Sequence, residues 1–417
     1  MAIDPRNQLR ISRLPYRERI AASAQETMNN FINTAPAFER QISPIDATHA
    51  DVTSAYFSGS FRALMFGSNN YLALSGDPRV KEAAVQAIEK YGVSMTGSMI
   101  LNGSSPLHKK LERAVAGLKG AEDAIIFSSG YLANSSWVRA LLRREDAVVF
   151  DERGHTSFLE GLRLITSELK IPFAHNDLDS FRRSIEIARQ AKGDIYVFTE
   201  GLFSMDGDLP PLAEMMAICR EVGAIVAVDD AHGTGVLGAT GSGIAEHIGL
   251  EDDLDITVGT LSKALGCVGG FICGKADLIT CMRSQSLANI FTASLPPPIV
   301  GACLKSIEIL QQEPERIERL ASNSRFAREV LGDRYAVVPG EGPIIPIQFG
   351  ARSDVQHFAF RLLEEGIFVN CATFPAVPVN APRLRITINC AHTQDDILAL
   401  RNTLDKVINT VSLVASN

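Results

Sequence analysis

The sequence predicts an α/β protein: a large domain on a mostly parallel, doubly wound sheet, followed by a smaller α+β C-terminal domain. Three observations carry this. Short runs rich in Ile, Val and Phe alternate with amphipathic segments through the middle of the chain, the pattern of strand–helix units. The runs are continuous rather than alternating in apolar character, which suits strands buried on both faces rather than strands with one wet face. Finally, Pro296-Pro297-Pro298 interrupts the alternation, and beyond it the strands are fewer and further apart.

Residues 1–60 are polar, arginine-bearing and weakly periodic, and are expected to form an N-terminal helix and arm. Residues 61–295 make the large domain and residues 296–417 the C-terminal one. Strands are expected at 124–127, 147–150, 194–199, 224–228, 255–258 and 270–273. After Ser105-Pro106, a good helix start, Leu107, Leu111, Val115 and Leu118 recur at helical spacing. Pro210-Pro211 opens a second helix over 212–221, and a long one is expected over 299–312. The C-terminal strands are expected at 344–349, 367–370 and 384–389, with helices from Ser353 and from Thr393. In an open parallel sheet the ligand crevice lies outside the carboxyl ends of the strands.

A chain of 417 residues is long enough for two domains, and 46% hydrophobic with 21% charged residues is ordinary for a globular protein. A net charge of −8 speaks against a general nucleic-acid binder. Asp4, Arg6, Arg10, Arg13, Arg17 and Arg19 interrupt the apolar stretches near the start, so no secretory signal is expected. No window approaches the roughly 18 apolar residues of a membrane span. Seven cysteines without a CxxC fit a reducing compartment, and the eight histidines show no metal-ligand spacing. The expectation is a cytoplasmic protein with no metal.

The chemistry gathers behind the strands. In Asp255-Ile-Thr-Val-Gly259-Thr260-Leu-Ser262-Lys263-Ala-Leu-Gly266, hydroxyls and glycines follow a strand end, which suits a phosphate, and a lysine stands beside them. Lys263 can form a Schiff base with an aldehyde and later act as a general base. A lone lysine in a loop is most often only solvated. The balance shifts with Ala224-Ile-Val-Ala-Val-Asp229-Asp230-Ala-His232, because a carboxylate at the end of a buried strand is costly unless paired. Pyridoxal 5′-phosphate (PLP) needs such a carboxylate beside its pyridine nitrogen. His232 can then reach its phenolic oxygen. A capping aspartate and a satisfied core histidine are the plain readings of each alone.

Gly233-Thr-Gly235-Val-Leu-Gly238 is a rival, since it matches the dinucleotide fingerprint GxGxxG and has Glu251-Asp252-Asp253 downstream. That fingerprint must open a helix, and Ala239-Thr-Gly241-Ser-Gly243 breaks one, so a flexible glycine loop is expected. Phe127-Ser-Ser-Gly130-Tyr131-Leu-Ala-Asn134 is either a phosphate-holding helix start or a simple strand exit. His155, in Asp151-Glu-Arg-Gly-His155, is either a stacking ring or a solvated loop residue. Ser204, in Glu200-Gly-Leu-Phe-Ser204-Met-Asp206-Gly-Asp208, is either a ligand hydroxyl or part of an Asp/Gly turn.

The ordered set resembles the α-oxoamine synthase family of fold-type I PLP enzymes. It comprises Asn69-Asn-Tyr71-Leu-Ala-Leu-Ser75, Thr96-Gly-Ser98, Ser129-Gly130-Tyr131, Asp229-Asp-Ala-His232-Gly-Thr-Gly235, Gly259-Thr260-Leu-Ser262-Lys263 and Arg383-Leu-Arg385. The resemblance implies that Lys263 carries the cofactor, Asp229 pairs with the pyridine nitrogen and His155 stacks on the ring. Ser204 and His232 would flank the phenolic oxygen, while Gly130, Tyr131, Thr260 and Ser262 surround the phosphate. Arg385 would hold the amino-acid carboxylate, with Asn69 and Tyr71 lining the substrate pocket. A homodimer with shared sites is implied, Thr292 reaching the phosphate of the other subunit.

The implied reaction is a decarboxylative Claisen condensation of an amino acid with an acyl-CoA, giving an α-amino ketone, CO2 and CoA. Tyr91-Gly-Val-Ser-Met-Thr-Gly-Ser-Met-Ile-Leu-Asn102-Gly, Phe291-Thr-Ala-Ser-Leu-Pro-Pro and the stretch from Val369-Asn to Pro375-Ala-Val-Pro are most similar to bacterial serine palmitoyltransferase. That branch implies L-serine, a long-chain acyl-CoA, a place in sphingolipid synthesis and membrane contact that is at most peripheral. Met99 stands where the branch usually has Arg. The stretches from Asp229 and from Ser204 are nearer to 8-amino-7-oxononanoate synthase, which leaves alanine or glycine as the alternative substrate. An aminotransferase on the same fold and a silent partner subunit are weaker rivals, the second opposed by retention of Lys263, Asp229 and His155.

Overall fold

The computed structural model describes residues 10–34, 39–250, 253–351, 354–374 and 376–414. Asp4, Arg6, Glu251, Asp252, Ser353 and Pro375 lie outside the described residues. Along the chain run strands β1 (Gln41–Pro44), β2 (His49–Ser54), β3 (Phe57–Met65), β4 (Asp123–Phe127), β5 (Ala147–Asp151), β6 (Leu169–Phe173) and β7 (Ile195–Glu200). They are followed by β8 (Ile225–Asp229), β9 (Ile256–Thr260), β10 (Gly270–Gly274), β11 (Ile344–Gln348), β12 (Ile367–Phe368), β13 (Asn370–Ala372) and β14 (Arg383–Thr387). The chain divides into two compact units, one of Met1–Ser68, Asn323–Pro339 and Ile344–Asn417, the other of Asn69–Ser322 and Gly340–Pro343.

The larger unit is built on a seven-stranded sheet in the order β4-β10-β9-β8-β7-β5-β6. From β9 to β6 every pairing is parallel, and β10 runs antiparallel to both β9 and β4. This is the mostly parallel sheet the sequence predicts. The strand that reading missed is β6, Leu-Lys-Ile-Pro-Phe, where only Phe173 is buried. It lies at the sheet edge, where a lysine and a proline are tolerated and the apolar run is broken. Chain order reverses between the adjacent strands β5 and β7, since β5 leads outward to β6 while β7 leads the other way to β8 and β9, and this makes a switch point that places a ligand crevice. Helix Pro297–Gln312 packs on helix Pro78–Tyr91 and belongs to this unit, which continues to Ser322 rather than ending at the expected residue 295. Gly301 permits the approach: a Cβ there would lie 2.7 Å from the Ala83 carbonyl oxygen.

The smaller unit differs from the expected arm. Residues 41–65 form β1 to β3, which with β12 make one sheet in the order β1-β2-β3-β12. In β2 only Ala50 and Val52 are buried, an alternation too short to stand out, and β1 is exposed along its length. The expected strand at 367–370 is split, β12 pairing with β3 and β13 with β14. β11, β14 and β13 form an antiparallel sheet. Its core gathers Phe66, Ile345, Leu384, Ile386, Leu400 and Leu404. Helix Val355–Glu364 is capped by Asp354, which accepts from His357 N–H at 3.0 Å. Helix Gln394–Val414 opens on a capping box: Thr393 N–H donates to Asp396 Oδ2 at 2.8 Å and Asp396 N–H to Thr393 Oγ1 at 3.1 Å. Among the described residues no helix is long and apolar enough to cross a membrane.

The glycine loop after β8 is packed rather than loose. Gly235 N–H donates to Gly241 O at 2.8 Å and Gly243 N–H to Leu237 O at 3.0 Å, and Thr234, Val236 and Leu237 are buried. No helix begins at Gly233, so the dinucleotide geometry is absent there. The loop instead wraps the Asp230 carboxylate, which a Cβ at Gly201, Gly233 or Gly243 would strike.

Candidate active site

The parallel strands deliver their last residues to one edge. β8 ends on Asp229, paired in register with Glu200 at the end of β7 and with Val258 in β9. Thr260 ends β9 opposite Gly270, and Gly270 in turn faces Phe127 at the end of β4. His155 follows β5, Ser204 follows β7, His232 follows β8 and Lys263 follows β9.

Asp229 is nearly buried and receives Asn134 Nδ2–H at 2.6 Å and Ala231 N–H at 3.0 Å. Asn134 stands in helix Gly130–Leu141, its carbonyl accepting from Trp137 Nε1 at 3.3 Å. It also donates to Ser157 Oγ at 3.0 Å, and Ser157 Oγ lies 2.7 Å from His155 Nδ1. Ser157 N–H points to the same nitrogen at 3.3 Å, so Nδ1 is the acceptor and the ring proton is assigned to Nε2. Burial lowers the His155 pKa, with Lys263 adding to the effect and Asp229 opposing it; the ring is held neutral.

Glu200 is buried, and burial first, then the Asp229 charge, pushes its pKa well above the carboxylate range, Lys263 and the Ser204 backbone N–H opposing. Its Oε1 is buried without a partner. Lys263 therefore lies within electrostatic reach of both His155 and Glu200.

A second corner suits an anion. The first amides of helix Gly130–Leu141 have no acceptor within the helix. Ser129 caps Leu132 N–H at 3.2 Å, leaving the amides of Gly130 and Tyr131 at the tip. A Cβ on Gly130 would come within 3.2 Å of Thr260 Oγ1, and one on Gly270 within 2.5 Å of Gly130 N, so both glycines keep this corner open. Thr260 Oγ1 donates to Gly269 O at 2.9 Å and lies 2.7 Å from Ser262 Oγ. The Tyr131 hydroxyl donates to Glu160, and its ring meets His155 edge-on at 6.5 Å between centroids.

His232 Nδ1 lies 2.7 Å from the buried Tyr71 hydroxyl, which reaches Asn69 Oδ1 at 3.3 Å. Thr292 and Met99 line one small cleft with Ser128. Arg385 belongs to the smaller unit, buried in β14, its Nη1 donating to Thr387 Oγ1 at 3.1 Å. The sequence reading quoted Asn134 and Glu200 inside motifs but gave them no role. The carboxylate argument made for Asp229 applies equally to Glu200; Asn134 lies mid-helix, where an asparagine carries no signal of its own.

The donor set fits PLP: an amine on Lys263, a buried carboxylate held by the neutral donors Asn134 and Ala231 for a pyridinium, a neutral ring, and an anion corner cleared by glycines. Fold and site together define a fold-type I PLP enzyme. Residues 62–404 match the aminotransferase class I and II family. Serine palmitoyltransferase of Sphingobacterium spiritivorum is 39% identical over 337 residues, 81% of this chain and 84% of that protein. 8-Amino-7-oxononanoate synthase of Lysinibacillus sphaericus is 37% identical over 354 residues, 84% of this chain and 90% of that one. The structure of a serine palmitoyltransferase from S. paucimobilis, with bound PLP and myriocin, superposes with a TM-score of 0.88 at 30% identity, covering 94% of this chain and 98% of that one. This chain belongs to the aminotransferase class I and II family and, within it, to the α-oxoamine synthases, PLP-dependent acyltransferases.

Proposed function

We propose that this synthase condenses L-serine with a long-chain acyl-CoA. A C–C bond forms between the amino-acid Cα and the acyl carbon, while the Cα–CO2 and C–S bonds break. The products are an α-amino ketone, CO2 and CoA, whose sulfur takes up one proton. What supports the site reading above all is that the parallel strands β5, β8 and β9 bring His155, Asp229 and Lys263 to one edge of the sheet, where the charges of Asp229 and Lys263 both act on His155.

PLP, when bound, supplies an aldehyde for amines and a ring that takes up the charge left at Cα. Lys263 Nζ would remove the Cα proton and return a proton to Cα once CO2 has left. Asp229 holds the proton on the ring nitrogen, and Asn134 holds Asp229. The neutral His155 imidazole would cover the ring and keep water from it. Ser204 and His232 would donate to the phenolic oxygen, with Tyr71 orienting His232. Gly130, Tyr131, Thr260 and Ser262 would bind the phosphate, and Asn69 would line the substrate pocket. Arg385 is proposed for the substrate carboxylate on the resemblance alone, a guanidinium fork being apt for that group.

We also propose a homodimer in which Thr292 serves the other subunit's phosphate. Leu101 and Phe291 are each 79% exposed, on segments joined by the Ser98–Ala293 bridge, and such apolar exposure suits a covered surface.

A second reading, an 8-amino-7-oxononanoate synthase or another member using alanine or glycine, is favoured by relatives of that name at comparable identity. The absorption band of the purified holoenzyme, recorded with L-serine, L-alanine and glycine in turn, chooses between them. A shift at lowest concentration with L-serine, and CoA released only with long acyl donors, supports the first. A tighter response to alanine or glycine supports the second. No visible band even with added PLP defeats both.

A further inference from the structure

The turn after β6, His175-Asn176-Asp177, has no part in the reading above, yet it touches two of the loops that reading relies on. His175 Nδ1 lies 3.0 Å from Asp151 Oδ1, and Nε2 lies 2.9 Å from Asp208 Oδ2. Both ring nitrogens face carboxylates, so both must donate, and only the imidazolium can do so. The ring also packs edge-on against Phe203 at 4.4 Å. Asn176, at φ +54°, repeats the bridge: its N–H donates to Asp151 Oδ2 at 3.1 Å, and its Nδ2 to Asp208 Oδ2 at 2.9 Å and Leu209 O at 3.1 Å.

Each carboxylate anchors a loop that carries a site residue. Asp151 ends β5 and accepts from Arg153 N–H at 2.8 Å, forming the turn that leads to His155. Asp208 closes the turn that holds Ser204, in which Phe203 N–H donates to Asp208 O at 3.0 Å and Gly207 N–H to Phe203 O at 2.9 Å. Arg153 Nη1 donates to Asp206 Oδ2 at 2.9 Å, a second link between the same two loops. His175, Asp206 and Asp208 also lie close enough to hold a metal. However, both His175 nitrogens are engaged and a guanidinium sits on Asp206, so the protein supplies the cations itself.

We infer that His175 is a positioning residue, clamping the His155-bearing turn to the Ser204-bearing loop by bridging Asp151 and Asp208. The inference rests on the proposed roles of Ser204 and His155. Burial opposes the imidazolium, but the hydrogen bonds and charges of Asp151 and Asp208 outweigh it and raise the His175 pKa to about 9. The groups facing the ring are Asp151, Asp208 and Asp206, with Arg153 beyond Asp206. The folded value lies above the ordinary histidine value, so the clamp is complete below about pH 6.5 and is lost as pH rises through about 9.

Hydrogen exchange over residues 201–209 of the cofactor-free protein, together with the PLP dissociation constant across pH, tests this. In His175→Gln one amide oxygen would face a carboxylate, so exchange should be about tenfold faster and PLP about tenfold weaker at pH 7. Asp208→Asn, a gentler change from the other side, should move both in the same direction. The double variant His175→Gln/Asp208→Asn can donate to Asp151 and accept from Asn, so it should restore both values. It should also lack the extra loss of PLP affinity shown by the native chain between about pH 8 and 10. Unchanged exchange and an unchanged alkaline loss in His175→Gln overturn the clamp. Unchanged PLP affinity in both Ser204→Ala and His155→Ala overturns the site reading instead, while the exchange data still judge the clamp.

Discussion

Asp229 and Asp230 are neighbours at the end of β8, both nearly buried, and the fold treats them in opposite ways. Asp230 has a cation of its own: Lys119 Nζ lies 2.6 Å away, and it also donates to Thr234 Oγ1 at 3.2 Å and to Ser242 O. Ile244 N–H adds a contact at 3.3 Å, and glycines line the rest. Asp229, directed to the other side by the strand's alternation, is reached by the neutral amides of Asn134 and Ala231. A buried carboxylate with its own lysine is complete as structure. One held by neutral donors leaves room for a cationic partner from outside the chain, and the pyridinium of PLP would be such a group.

The largest expected effects separate the two lysines. Lys263→Ala should lower turnover on the order of a thousandfold or more, about 4 kcal/mol of activation free energy, because the proton-transfer group is gone. Urea unfolding of the cofactor-free protein should move by less than about 1 kcal/mol, since Lys263 is only half-buried. Lys119→Met should do the reverse, costing about 3–5 kcal/mol of stability by leaving the buried Asp230 carboxyl without its cation. If Lys119→Met unfolds no more readily than the native chain, the contrast between the two aspartates collapses.

Asn134→Ala sharpens the contrast from the side of Asp229. It removes a 2.6 Å hydrogen bond to a carboxylate, worth about 1.5–3 kcal/mol. It also frees Ser157, which holds His155 Nδ1. PLP should dissociate at least about tenfold more readily, measured by titrating the cofactor-free protein at its visible band. An affinity equal to the native one would mean that Asp229 needs no neutral support.

The inner parallel strands and the residues behind them were legible where an apolar run is closed by a polar residue, as at Val228-Asp229. β6 was hidden by Lys170 and Pro172 at an edge, and β2 by a period too short to read. At the site, Asp229 and Lys263 were readable because burying such groups is costly without a purpose. Asn134 was not, since its role arises only when helix Gly130–Leu141 turns it towards β8. Nothing local distinguished Asp229 from Asp230: the difference lies in Lys119, distant in sequence, and that pairing is visible only in three dimensions.

The smallest expected effects carry a difference of sign. Gly233→Ala would drive a Cβ into Asp230 Oδ1, in a loop whose backbone is already fixed by hydrogen bonds. Gly233 is not among the residues with positive φ, so the penalty would come from the contact rather than from the backbone. Overpacking of this kind costs about 1–3 kcal/mol, and the carboxylate can move only by giving up Lys119. Gly117, exposed inside helix Pro106–Lys119, meets nothing within 4 Å of the same added carbon. There alanine should stabilise by about 0.5–1 kcal/mol, the ordinary helix gain over glycine. Urea curves for the two variants read both signs. A neutral Gly233→Ala would show that the loop can open around Asp230 without loss, and that its glycines answer to something other than the buried ion pair.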